Sequence, residues 1–257
     1  MVQLVKDLIS FLAYIFITPF YRKRNVVLVY HSIGDIDPSS DPQKINVTPE
    51  RFEEQMRYLS TCGRSYLLTF DDGFENVYTN AFPLLKRYGA RSILFITTDF
   101  IDSRLGSDRL FNNAQPLRPL TWAQVKDMSS CGVEIGSHSC THKTMSDLDE
   151  KSASHEASAS RERIRDMVGC DVRYFSYPFG SRRSFNKATE RLLRDAGYSK
   201  AFTNIMGMDN SEEEPFVARR IRVYGTDNIF RFKMKVSGAY NWVDHLPGIL
   251  VKNKLKS

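Results

Sequence analysis

Two adjacent carboxylates, Asp71 and Asp72, end the apolar run Tyr66-Leu67-Leu68-Thr69-Phe70 and are followed by Gly73. Two histidines, His138 and His142, stand four apart in Gly136-Ser137-His138-Ser139-Cys140-Thr141-His142. Two neutral imidazoles and one carboxylate make a three-ligand set that leaves a metal open to water or substrate. A second carboxylate beside that set can handle protons. An isolated HxxxH reads as two surface histidines, but this pair is not isolated. Three of the chain's five histidines, His31, His138 and His142, fall with Asp71 and Asp72 at or just past the ends of expected strands. Ser139 directly after His138 excludes the helix of an HExxH zinc protease.

These residues need elements that aim them at one point. After residue 24 the sequence alternates strand and helix, with strands expected at 26–30, 66–70, 92–97, 133–137, 173–177, 200–203 and 216–224. Thr48-Pro49 opens a helix that ends near Cys62-Gly63, and Thr121-Trp122-Ala123-Gln124 supplies a capping box. Further helices are expected at 75–88, interrupted by Pro83, and at 146–168, 185–196 and 228–236, with a long loop over 99–120. About seven parallel strands with interleaved helices predict an α/β fold, a parallel sheet or a barrel. Its active site belongs at the C-terminal rim of the strands, where the chemistry-bearing residues fall.

The length of 257 residues fits one such domain over 25–235, between an apolar segment 1–24 and a basic tail 236–257. The net charge of +6 is concentrated in short runs, among them Arg22-Lys23-Arg24 and 252–256. No nucleic-acid-binding motif accompanies them, so nucleic acid is excluded as a partner and an anionic membrane surface fits the terminal clusters better. The apolar run 8–20 is shorter than the roughly 20 residues that span hydrocarbon. It also lacks a secretory cleavage site, and reads as an interfacial anchor or as a buried helix. Positive charge just after it favours a cytoplasmic catalytic domain, an extracytoplasmic one being the alternative. Four cysteines with no CxxC pair indicate neither a disulfide scaffold nor a structural zinc site.

Thr69-Phe70-Asp71-Asp72-Gly73, His138-Ser139-Cys140-Thr141-His142 and Tyr177-Pro178-Phe179-Gly180, in this order, resemble the polysaccharide deacetylases of carbohydrate esterase family 4. The resemblance covers most of residues 25–235. It implies an α/β fold of the distorted (β/α) barrel type, and a divalent metal ion, zinc first and cobalt, nickel or manganese as alternatives, held by Asp72, His138 and His142. It implies Asp71 as general base and the backbone amide of Phe179 as an oxyanion donor. Tyr30-His31-Ser32 looks like a segment of the exopolysaccharide-modifying branch, which makes His31 the candidate proton donor. Tyr177 and Arg220 are read as substrate contacts.

Two departures stand out. Ser176-Tyr177 replaces the Arg-Pro of the usual third motif, so the arginine that orients the base is absent there, and Arg219, Arg220 or Arg222 is the candidate replacement. No Leu-x-His motif lies near the C-terminus, and His245 falls in the tail. The reading implied by the resemblance is a metal-dependent hydrolase removing N-acetyl groups from amino sugars of a glycan. A membrane-associated deacetylase or deformylase of a lipid-linked saccharide is the alternative, and a non-catalytic glycan-binding protein is a third reading.

Overall fold

The computed structural model describes residues 2–21, 24–110 and 117–243. Seven parallel strands close into a barrel: β1 (Val26–Tyr30), β4 (Tyr66–Phe70), β5 (Ser92–Ile96), β6 (Glu134–Ser137), β7 (Tyr174–Ser176), β8 (Lys200–Met206) and β9 (Ala218–Arg222). They neighbour one another in that order, and β9 pairs back onto β1 through Leu28 with Ile221 and Val29 with Arg222. This is the distorted (β/α) barrel that the resemblance implies, and of the sheet and the barrel that the alternating pattern allows it is the barrel. A small parallel pair, β2 (Ser32–Ile33) and β3 (Asn46–Val47), lies apart from it.

Side chains alternate along each strand, and two separate cores result. Leu28, Tyr30, Leu68, Phe70, Leu94 and Ile96 point outward into the large core shared with the helices. Val27, Ile93, Phe95, Phe202 and Ala218 form a second cluster, packed against Leu67 and Tyr174 and built from barrel strands alone. It is the apolar floor of the barrel interior. A Cβ at Gly136 would lie 2.4 Å from two carbons of the Phe95 ring, so only glycine lets Phe95 cross the interior there.

The helices are α1 (Val2–Tyr21), α2 (Pro49–Thr61), α3 (Phe82–Tyr88), α4 (Thr98–Ile101), α5 (Trp122–Ser130), α6 (Glu150–Val168), α7 (Lys187–Asp195) and α8 (Ile229–Val236). Thr48 caps α2, and the Thr121–Gln124 capping box opens α5. Pro83 does not simply interrupt one helix. A π-helical turn, Val77–Ala81, precedes α3, which absorbs the missing proline N–H.

The loop expected over 99–120 contains part of α4 and a 3-10 turn at Ser107–Arg109, and 111–116 lie outside the described residues. The basic tail expected over 236–257 begins as packed structure, because Ala239, Tyr240 and Val243 are buried with Met234. His245 and the 252–256 run lie outside the described residues. All four cysteines are free thiols.

Candidate metal and catalytic centre

Past the end of β4 the chain turns sharply, and Asp72 takes a left-handed φ of 77°. That conformation is costly for a residue with a Cβ and is kept where the surroundings dictate it. The turn is fixed by hydrogen bonds from the Asp71 amide to the Tyr30 carbonyl (3.0 Å) and from the Thr97 amide to the Asp72 carbonyl (3.2 Å). Asp71 and Asp72 are fully buried.

Beyond β6, residues 138–142 form an irregular loop rather than a helical turn, with Ser139 and His142 both left-handed (φ 66° and 57°). The imidazoles still converge, their ring centroids 4.9 Å apart. Glu156 of α6 holds this loop. Its carboxylate accepts from the amides of Cys140 (2.8 Å) and Thr141 (2.9 Å) and from the Thr141 hydroxyl (2.5 Å). Cys140 is not placed as a ligand, since burial pushes its thiol up to about 11 and disfavours the thiolate.

Asp72, His138 and His142 bring one ligand atom each to within 4.8 Å of one another. Nε2 of His138 and of His142 lie 3.4 and 3.3 Å from Asp72 Oδ1. Those separations fall within the roughly 3.3–3.6 Å edge of a tetrahedron with ligand bonds of about 2.0–2.2 Å. Neither Asp72 oxygen accepts a hydrogen bond among the described residues, although both are buried. Buried carboxylate oxygens normally have partners, and a cation would satisfy both. Nδ1 of His138 lies 2.7 Å from the Ser176 carbonyl, a partner that can only accept, so Nδ1 carries the hydrogen and Nε2 presents its lone pair. Burial also pushes the His138 pKa down to about 4, which keeps the imidazole neutral at pH 7. Burial opposes ionisation of Asp72, but His142 and His138 beside it hold it below the usual carboxylate range. The donor set fits a divalent ion.

Asp71 is held differently. Arg220 of β9 is fully buried beneath it and donates to both oxygens, Nη1 to Oδ1 and Nη2 to Oδ2, each at 2.7 Å. The same guanidinium donates to the Thr69 hydroxyl (3.0 Å), the Ser176 hydroxyl (2.9 Å), Asn204 Oδ1 (2.8 Å) and the Thr203 carbonyl (2.9 Å). Its Cζ sits 5.7 Å from the Phe95 ring centroid, so the cation lies between the apolar floor and the reactive rim. Burial would raise the Asp71 pKa, but the charge and hydrogen bonds of Arg220, with His138 and His31 nearby, hold it well below the usual range.

Tyr177 and Arg220, both read from sequence as substrate contacts, are corrected here: neither side chain reaches solvent. Tyr177 points outward, stacks on Phe185 at 4.7 Å and donates to the Phe216 carbonyl (3.2 Å). Arg220 points inward and clamps Asp71. Of Arg219, Arg220 and Arg222 it is the one that meets Asp71, and it comes from β9, two strands along from β7. Ser176, standing in the vacated position, donates to Asp71 Oδ2 (3.2 Å) as well as accepting from Arg220.

His31 is partly buried at the same rim and contributes to the ionisation of both carboxylates. Phe179 has a left-handed φ of 61°, and its ring, 43% exposed, lies 4.9 Å from that of His142. Asn204 ties this turn to the Arg220–Asp71 pair, because its Nδ2 donates to the Phe179 carbonyl (3.1 Å) while its Oδ1 accepts from Arg220. Gly180 allows the approach, since a Cβ there would lie 2.5 Å from the Asn204 nitrogen.

Glu156 and Asn204 are the site residues that sequence reasoning missed. For Glu156 the expected effect of substitution is specific: Glu156→Gln replaces an acceptor of three hydrogen bonds with a weaker one. Partners of this kind typically change metal affinity about 10–100-fold. Metal titration followed by calorimetry should show that loss without loss of the fold.

The sequence matches the profile described as "Polysaccharide deacetylase" over residues 59–201, more than half of the chain. YxkH of Bacillus subtilis (strain 168), named as a candidate polysaccharide deacetylase, is 25% identical over 218 residues, covering 77% of this chain and 70% of that protein. Among solved structures, the Streptococcus pyogenes deacetylase PplD in complex with acetate shares the fold with a TM-score of 0.71 at 19% identity. The alignment covers 83% of this chain and 98% of PplD. IcaB from Ammonifex degensii gives a TM-score of 0.64 at 22% identity over 85% of this chain and 97% of its own. The buried Asp-His-His cluster beside an arginine-clamped aspartate thus sits in a chain that belongs to the polysaccharide deacetylase family, the carbohydrate deacetylases.

Proposed function

We propose that this carbohydrate deacetylase is a metal-dependent hydrolase that releases acetate from N-acetylated amino sugars of an exopolysaccharide-type glycan. The observation that carries the reading is the pairing of two carboxylates with opposite needs. Among the described residues Asp72 accepts no hydrogen bond and faces two imidazoles, while Asp71 is held at both oxygens by Arg220.

A divalent ion held by Asp72, His138 and His142 supplies Lewis-acid polarisation, and zinc lowers the pKa of water from about 16 to about 7. Asp71, ionised and fixed in orientation, accepts the proton of the water that attacks the amide carbon. The Phe179 amide donates to the oxygen on which negative charge develops, and such donors are worth about 2.7–4 kcal/mol each. His31 gives a proton to the departing amine, so that acetate and the free amino sugar leave. Support for the acetyl group comes from the names of the fold neighbours, which include a de-N-acetylase from Aggregatibacter actinomycetemcomitans and a deacetylase holding acetate. The exopolysaccharide assignment rests on the Tyr30-His31-Ser32 segment.

The test is a release assay for acetate and formate on a panel of N-acetylated and N-formylated oligosaccharides, with and without a chelator. Acetate should appear, vanish on chelation and return with added zinc. In parallel, His138→Ala should lose stoichiometric metal. Release of formate alone, or acetate release indifferent to chelation, would overturn the proposal.

A further inference from the structure

Helix α1 is amphipathic with the wrong side out. Its inward face carries the polar groups: both Asp7 oxygens accept from Arg231 of α8 (3.0 and 2.6 Å), Tyr240 also donates to Asp7, and Trp242 Nε1 donates to Ser10 (3.1 Å). Its outward face is apolar. Leu4, Leu8, Phe11, Leu12, Ile15 and Phe16 recur at helical spacing and are 41–74% exposed. From α8, Phe230 (48% exposed) extends this surface, its ring 5.9 Å from that of Phe11. A helix bathed in water has the reverse arrangement, and contiguous apolar patches of this kind mark interaction sites.

The chemistry of the surface selects its occupant. A protein interface normally carries about one hydrogen bond per 100–200 Å². The exposed positions between Leu4 and Phe16 are all apolar and offer no side-chain donor or acceptor. Lipid asks for none. The sequence runs from the end of α1 into Arg22-Lys23-Arg24, of which Arg24 is exposed, and such a run complements lipid phosphates. Among the described residues no helix is long and apolar enough to cross a membrane, and Asp7 is committed to the domain surface. The arrangement is therefore one of lying on a membrane.

We infer that α1 and Phe230 form a membrane-docking face that lays its apolar stripe into an anionic lipid surface, leaving the barrel in water. This inference stands apart from the deacetylase reading, because it uses none of the site residues. The test is flotation of the full chain with vesicles of phosphatidylcholine alone or mixed 3:1 with phosphatidylglycerol, roughly physiological salt being used. The protein should float with the anionic vesicles. The triple variant Leu8→Glu, Leu12→Glu, Phe16→Glu should lose at least about tenfold of the bound fraction while keeping its melting temperature and its activity on a soluble oligosaccharide. Wild-type protein that stays unbound, or a triple variant that floats equally well, would overturn the inference. Equal binding to both vesicle types would overturn the anionic requirement. A dimer by light scattering that the triple variant dissociates, with no vesicle binding, would assign the face to a second copy instead.

Discussion

Asp71→Asn should lower turnover by about 10²–10⁴-fold, the usual contribution of a positioned proton acceptor, while leaving one metal ion bound per chain. The amide has nearly the shape of the carboxylate but cannot take a proton from water. The metal should remain because Asp71 is not one of the converging ligands; those are Asp72, His138 and His142. Single-turnover deacetylation, with metal content measured by atomic absorption, separates the two effects. Deacetylation at the wild-type rate would remove Asp71 as the base. The pH–rate profile adds a check. Arg220 holds the Asp71 pKa well below the ordinary range, so the acid limb of the profile should arise from other groups and not near pH 4.

Arg220→Ala should destabilise the protein by about 3–5 kcal/mol, because it strands a buried carboxylate without its counter-charge. The sign of the pH dependence identifies this cause. In the wild type the folded pKa of Asp71 is depressed. The pair therefore stabilises the fold fully above the unfolded value near 3.9 and loses that stabilisation only as pH falls through the lower folded value. In the variant, burial without a cation raises the folded pKa above the unfolded one, so protonation relieves the penalty. The stability gap between the two proteins should be widest at neutral pH and narrow on acidification, as read from urea midpoints. A pH-independent gap would mean lost packing alone. Arg220→Lys should recover only part, since one ammonium cannot reproduce a fork that meets both oxygens.

The barrel and its Asp-His-His cluster were legible because both are written locally. Alternating strand and helix patterns announced seven strands, and Asp71-Asp72 and His138…His142 each lie within one short segment. The clamp on Asp71 was not legible in the same way, for Arg220 lies 149 positions from its partner. Alternation narrows the choice, since Arg220 shares a face with Ala218 and so with the barrel interior, whereas Arg219 points away. Choosing between Arg220 and Arg222 needs the strand register, which sequence does not supply. The substitution at Ser176 looked like the loss of a function and is a redistribution of it. Its hydroxyl bonds both members of the ion pair, and its carbonyl fixes the His138 tautomer. Glu156 was hidden by its surroundings, a polar helix in which one buried acid resembles its solvated neighbours.

The position of the clamp on β9 ties the alignment of Asp71 to the closure of the barrel. β9 is the strand that meets both β8 and β1 and so shuts the barrel. Residues up to 206 include Asp71, Asp72, His138 and His142 but not the cation that aligns Asp71. The strand that supplies that cation is also the one that seals the cylinder. The orientation of Asp71 is therefore a property of the closed barrel and not of any strand taken singly.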